Sequence, residues 1–327
     1  PTHFNMFLPS DHPDFPWIGM VFAPPIIGVW YWCTDQYIVQ RVLSAKNVSE
    51  ARKGTIFAGY LKLLPIFMFF IPGLIAYAMT KTGQLSYGSS DQVFPTLVRE
   101  LLPSGIRGLV AGGLLAALMS SLSSVFNSCS TLFTMDIYKK LYPETDENKL
   151  VFVGRIATGI VVLSGILWIP FIKVVSGAGL YTYLQSVQAY IAPPIASVFL
   201  LGLFWSRINA NGALAALVGG FIAGMIRLGL EIKKSTLTVD GIWYQIADLN
   251  FLYFAIFSFL TCVVVLIAVS MLTPPPDLEK INGLTYDTSK KNITETDHPK
   301  SDKINSYIIL AILALILIYF SPIGIGG

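Results

Sequence analysis

The chain has 327 residues, 54% of them hydrophobic and only 13% charged, whereas a soluble globular chain carries about a quarter charged residues; a soluble domain is excluded and a polytopic membrane protein is expected. The net charge of +3 comes from scattered lysines and arginines with no dense run of one sign, which argues against a nucleic-acid partner. Cys33, Cys129 and Cys262 all sit inside apolar segments, so neither a disulfide framework nor a cysteine metal site is indicated, and they read as small packing residues.

The chain opens on Pro1-Thr2-His3 without an initiating Met or a signal peptide and closes on an apolar segment running into Gly326-Gly327, as expected of a piece of a longer protein. Apolar runs near the roughly 20 residues that a bilayer requires predict about eight spans. They fall at approximately 17–39, 54–80, 105–136, 151–172, 179–205, 211–230, 251–273 and 306–324. Alternate loops hold most of the basic residues: Arg41, Lys46, Arg52 and Lys53; Lys139, Lys140, Lys149 and Arg155; Arg207; and Lys280, Lys290, Lys291, Lys300 and Lys303. That bias places those loops in the cytoplasm and both ends of the chain outside. On this orientation the triplets Asn47-Val48-Ser49 and Asn292-Ile293-Thr294 are chance matches to a glycosylation signal. The stretch 274–305, rich in Pro, Asp, Lys, Thr and Asn, reads as a cytoplasmic linker, with Pro274 to Pro276 stopping the helix before it.

In the first span, Trp30, Tyr31 and Trp32 form an aromatic cluster, open to two readings: an interfacial belt, or the wall of a cavity where a flat ring stacks on a sugar. Asp35 follows, suited either to a gate ion pair or to helix-end hydrogen bonds. Pro24-Pro25 here and Pro193-Pro194 in the fifth span predict broken or kinked helices, which membranes tolerate where protein or a cavity satisfies the freed carbonyls. Packing kinks are the alternative. Lys62 is the basic residue left within the second span, either snorkelling to the interface or binding a ligand. Gln185, upstream of the second proline pair, is an uncharged group of the kind that bonds sugar hydroxyls, or a structural one.

The third span organises the rest. From Ala111 to Tyr138 it is apolar yet carries hydroxyls and an amide on one face: Ser120, Ser124, Asn127, Thr131 and Thr134 lie within roughly 80° of one another at 100° per residue, with Ser121 and Ser128 further round. Gly112, Gly113, Ala116 and Ala117 suit close helix packing in its early part; beyond them the polar face suits ion coordination. No titratable group precedes Asp136, itself read as interfacial, and hydroxyl and carbonyl oxygens favour a hard cation, so sodium is expected over protons.

Four runs carry a resemblance: WYWCTDQYIVQRVLSAKNVSEA at Trp30 to Ala51, GYLKLLPIF at Gly59 to Phe67, LMSSLSSVFNSCSTLFTMDIY at Leu118 to Tyr138 and YLQSVQAYIAPPIASVFLLGLFWSRIN at Tyr183 to Asn209. In this order they resemble the solute:sodium symporter family and, within it, the sodium/glucose cotransporters. The resemblance covers most of the chain and fades in the linker and last span. It implies an all-α membrane protein with the LeuT-type inverted-repeat fold, in which 1–205 supplies the second five-helix repeat, 206–273 peripheral helices, 274–305 the linker and 306–327 the last helix. The first repeat would be a missing N-terminal partner in the same protein.

The resemblance also implies a carrier in the cell (plasma or inner) membrane, not an enzyme, with no catalytic residues, that moves sodium and a hexose by alternating access. Ala117, through its carbonyl, with Ser120 and Ser121 matches the family's sodium site, and Ser123 and Ser124 match an additional one present in some members. Tyr31 matches the inner aromatic gate, Trp32 its neighbour, Lys62 the sugar-contacting lysine and Gln185 the glutamine that bonds the hexose. Gly28 departs from the polar residue expected there, which leaves the identity of the sugar open and a polyol such as inositol possible. A transporter-like membrane sensor is the alternative class.

Overall fold

The computed structural model describes residues 4–175, 180–239, 241–289 and 300–325, and these form helices without strands. In chain order the helices are α1 (Trp17–Val29), α2 (Gln36–Leu43), α3 (Val48–Pro65), α4 (Ile71–Lys81), α5 (Val93–Leu101), α6 (Ser104–Leu132), α7 (Lys139–Leu141), α8 (Glu147–Val175), α9 (Leu180–Phe204), α10 (Ala210–Ile232), α11 (Ile242–Asp248), α12 (Phe251–Leu272), α13 (Leu278–Ile281), α14 (Tyr286–Ser289) and α15 (Lys300–Tyr319). Wide π-helical turns at Trp30–Thr34, Ile66–Phe70 and Phe133–Tyr138 extend α1, α3 and α6. Among the described residues, eight helical runs are long and apolar enough to cross a membrane, from Trp17–Thr34 to Lys300–Tyr319. This is an all-α, multi-pass membrane protein. Residues 290–299, with Lys290, Lys291 and the Asn292 triplet, lie outside the described residues, as do the chain ends Pro1-Thr2-His3 and Gly326-Gly327.

The chain divides into two compact units, one formed by Pro1–Leu63 with Leu184–Gly327, the other by Leu64–Tyr183. In the first, α10 lies along α12 and α1 packs on α12. Small residues one turn apart on α10, namely Gly212, Ala216, Gly220 and Gly224, are all buried and let the backbones approach. A Cβ on Gly220 would lie 2.6 Å from Pro194 and 2.7 Å from the Cys262 sulfur. The core gathers Ala23 and Ile27 of α1, Ala189, Tyr190 and Ala192 of α9, and Phe251, Leu252 and Ala255 of α12. The last helix is tied to α3, where the Tyr60 hydroxyl donates to Asn305 Oδ1 at 3.1 Å.

In the second unit α6 packs on α8 through its C-terminal half. The Ser130 hydroxyl donates to the Gly154 carbonyl at 2.7 Å. The expected close packing earlier in α6 is not made within the described residues. A Cβ on Gly112 or Gly113 would meet nothing within 4 Å, and residues 111–123 are exposed throughout.

Neither proline pair breaks its helix: α1 runs through Pro24 and Pro25, and α9 through Pro193 and Pro194. Proline keeps a helical φ but withholds its N–H and crowds the carbonyl four residues earlier, which loses its helical partner. For Pro194 that carbonyl belongs to Tyr190, and α10 closes over it: a Cβ on Gly224 would lie 2.5 Å from the Tyr190 oxygen, an approach only glycine allows. The break in the first span comes instead at Asp35, whose extended backbone ends the run at Thr34 rather than near residue 39. Its Oδ1 accepts from the Tyr37 N–H at 3.2 Å and caps α2, which realises the helix-end reading of this carboxylate.

Candidate functional site

The Trp30–Thr34 turn is held open by one carbonyl. Trp30 O accepts the Asp35 N–H at 3.2 Å, a five-residue step, and the Thr34 hydroxyl at 2.6 Å. Wide turns of this kind concentrate at functional sites because they re-aim side chains. This one presents Tyr31 and Trp32 edge to face, with ring centroids 5.1 Å apart. The Tyr31 and Tyr37 hydroxyls share a hydrogen bond of 2.5 Å, which ties the aromatic turn to α2 across the Asp35 break.

Lys62 joins this cluster. Its Nζ lies 5.4 Å from the centre of the Trp32 ring. Because α3 begins at Val48, Lys62 lies about 21 Å along the axis from the helix start, against about 12 Å from the start of the expected span, and its ammonium faces an aromatic ring rather than the helix end. Gly28 stands one turn before Trp32, and a Cβ there would touch only the Trp32 Cδ1 at 4.0 Å, so the space beside the indole is open. The structure therefore brings Tyr31, Trp32 and Lys62 together. Gln185 is half-buried on α9, in the same compact unit.

Ala117, Ser120, Ser121, Ser123 and Ser124 lie on consecutive turns of α6, in the other compact unit. Ser124 donates its hydroxyl to the Ser120 carbonyl at 3.0 Å. Such back-bonding commits the Ser124 proton along the helix. The lower polar face behaves differently. Ser128, Ser130 and Thr134 are buried, and Asn127, Ser130, Thr131 and Thr134 line a groove of about 370 Å3 against Gly154, Arg155 and Thr158 of α8. Asp136 forms an exposed ion pair with Lys140 at 3.9 Å, in keeping with an interfacial role.

The chemistry that sequence reasoning passes over is on α10. Arg227 is buried within the span, 3% exposed. Its Nη2 donates to the Leu249 carbonyl at 2.8 Å, and its guanidinium carbon lies 5.6 Å from the Tyr190 ring centre and 5.8 Å from that of Phe254. The Tyr190 hydroxyl donates to Glu231 Oε2 at 2.5 Å. An arginine inside an apolar run, with a glutamate four residues on, was the available signal.

Comparison with known proteins follows the same lines. The Sodium:solute symporter family matches residues 1–220. Sodium/myo-inositol cotransporter 2 of Mus musculus is 38% identical over 310 residues, covering 90% of this chain and 46% of the relative. Sodium/myo-inositol cotransporter 2 of Oryctolagus cuniculus is 40% identical over 308 residues, 89% of this chain and 46% of the relative. Sodium/glucose cotransporter 1 of Ovis aries is 40% identical over 288 residues, 83% of this chain and 43% of the relative. The chain thus spans a little under half the length of these relatives. With eight apolar spans, an aromatic and lysine cluster at a widened turn and a hydroxyl-bearing helix already in place, the match is decisive: this chain belongs to the sodium:solute symporter family.

Proposed function

We propose that this chain is the part of a sodium-coupled symporter that carries most of the contacts for a polyhydroxylated ring, a hexose in the first instance. The carrying observation is the cluster at the widened turn of α1, where the Lys62 ammonium lies 5.4 Å over Trp32 and Trp32 meets Tyr31 edge to face. An indole face stacks on the apolar face of a sugar ring, while an ammonium and an amide such as Gln185 bond its hydroxyls. Sodium is the proposed co-transported ion, held through the Ala117 carbonyl and the Ser120 and Ser121 hydroxyls, with Ser123 and Ser124 as candidates for a second ion. The exposure of this stretch of α6 within the chain supports a reading in which the first repeat of a LeuT-type core completes that site.

The proposed cycle is alternating access. Sodium stabilises the outward-open state, the sugar closes the outer gate, and the Tyr31 side then opens inward. A second substrate, a cyclic polyol, is favoured by one feature: Gly28 offers no polar side chain beside Trp32 and leaves room there. The names of the inositol cotransporters it resembles point the same way.

The test is uptake of radiolabelled glucose, galactose and myo-inositol into proteoliposomes containing the full-length protein, with and without a sodium gradient. Accumulation that needs the gradient and is competed by one of the three supports symport and names the substrate. Binding without accumulation in every case would defeat it in favour of a sensor.

A further inference from the structure

Arg227 is set in a membrane-spanning helix with no ion pair among the described residues to justify it. Glu231 stands four residues on, where an arginine and a glutamate usually meet, but its carboxylate takes the Tyr190 hydroxyl instead. Among the described residues the guanidinium has one acceptor, the Leu249 carbonyl. Its Nε and Nη1 are buried without a partner. What holds it is the pair of ring faces, Tyr190 from α9 and Phe254 from α12, at 5.6 and 5.8 Å.

Tyr190 is consequently gripped by α10 at three points. Arg227 lies over its ring, Glu231 accepts its hydroxyl, and Gly224 approaches the carbonyl that Pro194 cannot pair with. Three contacts at different heights define both the rotation of α9 about its axis and its position along it. Gln185 lies five residues before Tyr190 on the same helix, about 7.5 Å along the axis. Tyr190 also shares its buried cluster with Ala23 and Ile27, against which Trp30 packs, at the threshold of the turn that carries Tyr31 and Trp32.

We propose that Arg227 is a positioning residue for substrate recognition: through Tyr190 it sets the register of α9 and thereby the placement of the Gln185 amide. This rests on the reading above that Gln185 contacts the substrate. Methionine at 227 retains much of the stem and removes a buried, unpaired charge, an exchange that commonly preserves or raises stability. A purely structural role would therefore leave Arg227→Met folded with ordinary substrate affinity. Lysine retains the charge but not the flat fork that lies between two rings and reaches Leu249.

The experiment uses the full-length protein in proteoliposomes and reads two quantities. The first is the Michaelis constant for the transported sugar or polyol, set against maximal rate per molecule and sodium requirement. For Arg227→Met the constant should rise roughly tenfold, the loss of about one hydrogen bond to substrate, with rate and sodium requirement within about twofold. Arg227→Lys should fall between. The second is the alkylation rate of Gln185→Cys, resolved by peptide mass spectrometry from the native cysteines, with and without Arg227→Met. A changed rate supports the proposal, and an unchanged rate together with an unchanged constant overturns it. If Arg227→Met fails to assemble, Arg227→Lys and Tyr190→Phe decide by the same two readings. If the native protein transports nothing, the symport reading falls, while alkylation at position 185 still decides whether Arg227 places α9.

Discussion

Two helices of this protein have nearly the same recipe and opposite surroundings. α10 carries Gly212, Ala216, Gly220 and Gly224 one turn apart, and all are buried against α12 and α9. α6 carries Gly112, Gly113, Ala116 and Ala117 followed by serines, and the whole stretch 111–123 is exposed within this chain. Small residues lower the cost of close approach, but they supply no attraction of their own beyond the contacts a complementary partner offers. On α10 the partner brings shape: the Pro194 ring, the Cys262 sulfur and an orphaned carbonyl fill the space that absent side chains leave. On α6 the hydroxyls present oxygen instead. Small residues thus serve packing in one helix and, on the proposed reading, a cation in the other.

The sharpest way to break this comparison is to fill the gaps on α10. Gly220→Leu, with its Cβ forced to within 2.6 Å of Pro194, should lower stability by about 3 kcal/mol or more through overpacking, read as a drop in the thermal unfolding midpoint of the purified protein. An unaltered midpoint would mean that α10 and α9 are less closely apposed than described.

Ser121→Ala makes the opposite test on α6. The midpoint should stay within about 0.5 kcal/mol, as expected for an exposed position, while the sodium concentration for half-maximal uptake rises about tenfold or more, equivalent to about 1.4 kcal/mol of ion affinity. Unchanged sodium dependence would remove this face from the ion site. Gln185→Glu places a charge where an amide is proposed to bond a neutral ring, and uptake should fall about tenfold with the sodium requirement retained. Normal coupled uptake would sink that assignment. The smallest effect is expected from Ser130→Ala, which deletes the bond to Gly154 and should cost about 1 kcal/mol of stability with no shift in sodium dependence. A shift as large as that of Ser121→Ala would mean that the upper and lower halves of the α6 face are not separate in role.

Much of this was legible in the residues themselves. Eight apolar runs predicted the eight spans, because a bilayer-length requirement is a property of composition and length alone. The hydroxyl stripe was legible as a face, since helical periodicity needs no partner to define it. Its division was not: burial of Ser128, Ser130 and Thr134 follows from where α8 lies, and the exposure of 111–123 from where it does not.

By itself the sequence determined that this is an all-α membrane protein, which family it belongs to, and which residue types stand at the positions proposed for ion and substrate, since each of these depends on local composition, order and period. Only the tertiary structure decided that both proline pairs run through unbroken helices, that the first span ends at Asp35, that Lys62 faces Trp32, and that a buried arginine on α10 grips Tyr190. Those outcomes depend on which carbonyl, ring or glycine a second helix brings within a few ångströms, and no single segment encodes its neighbour.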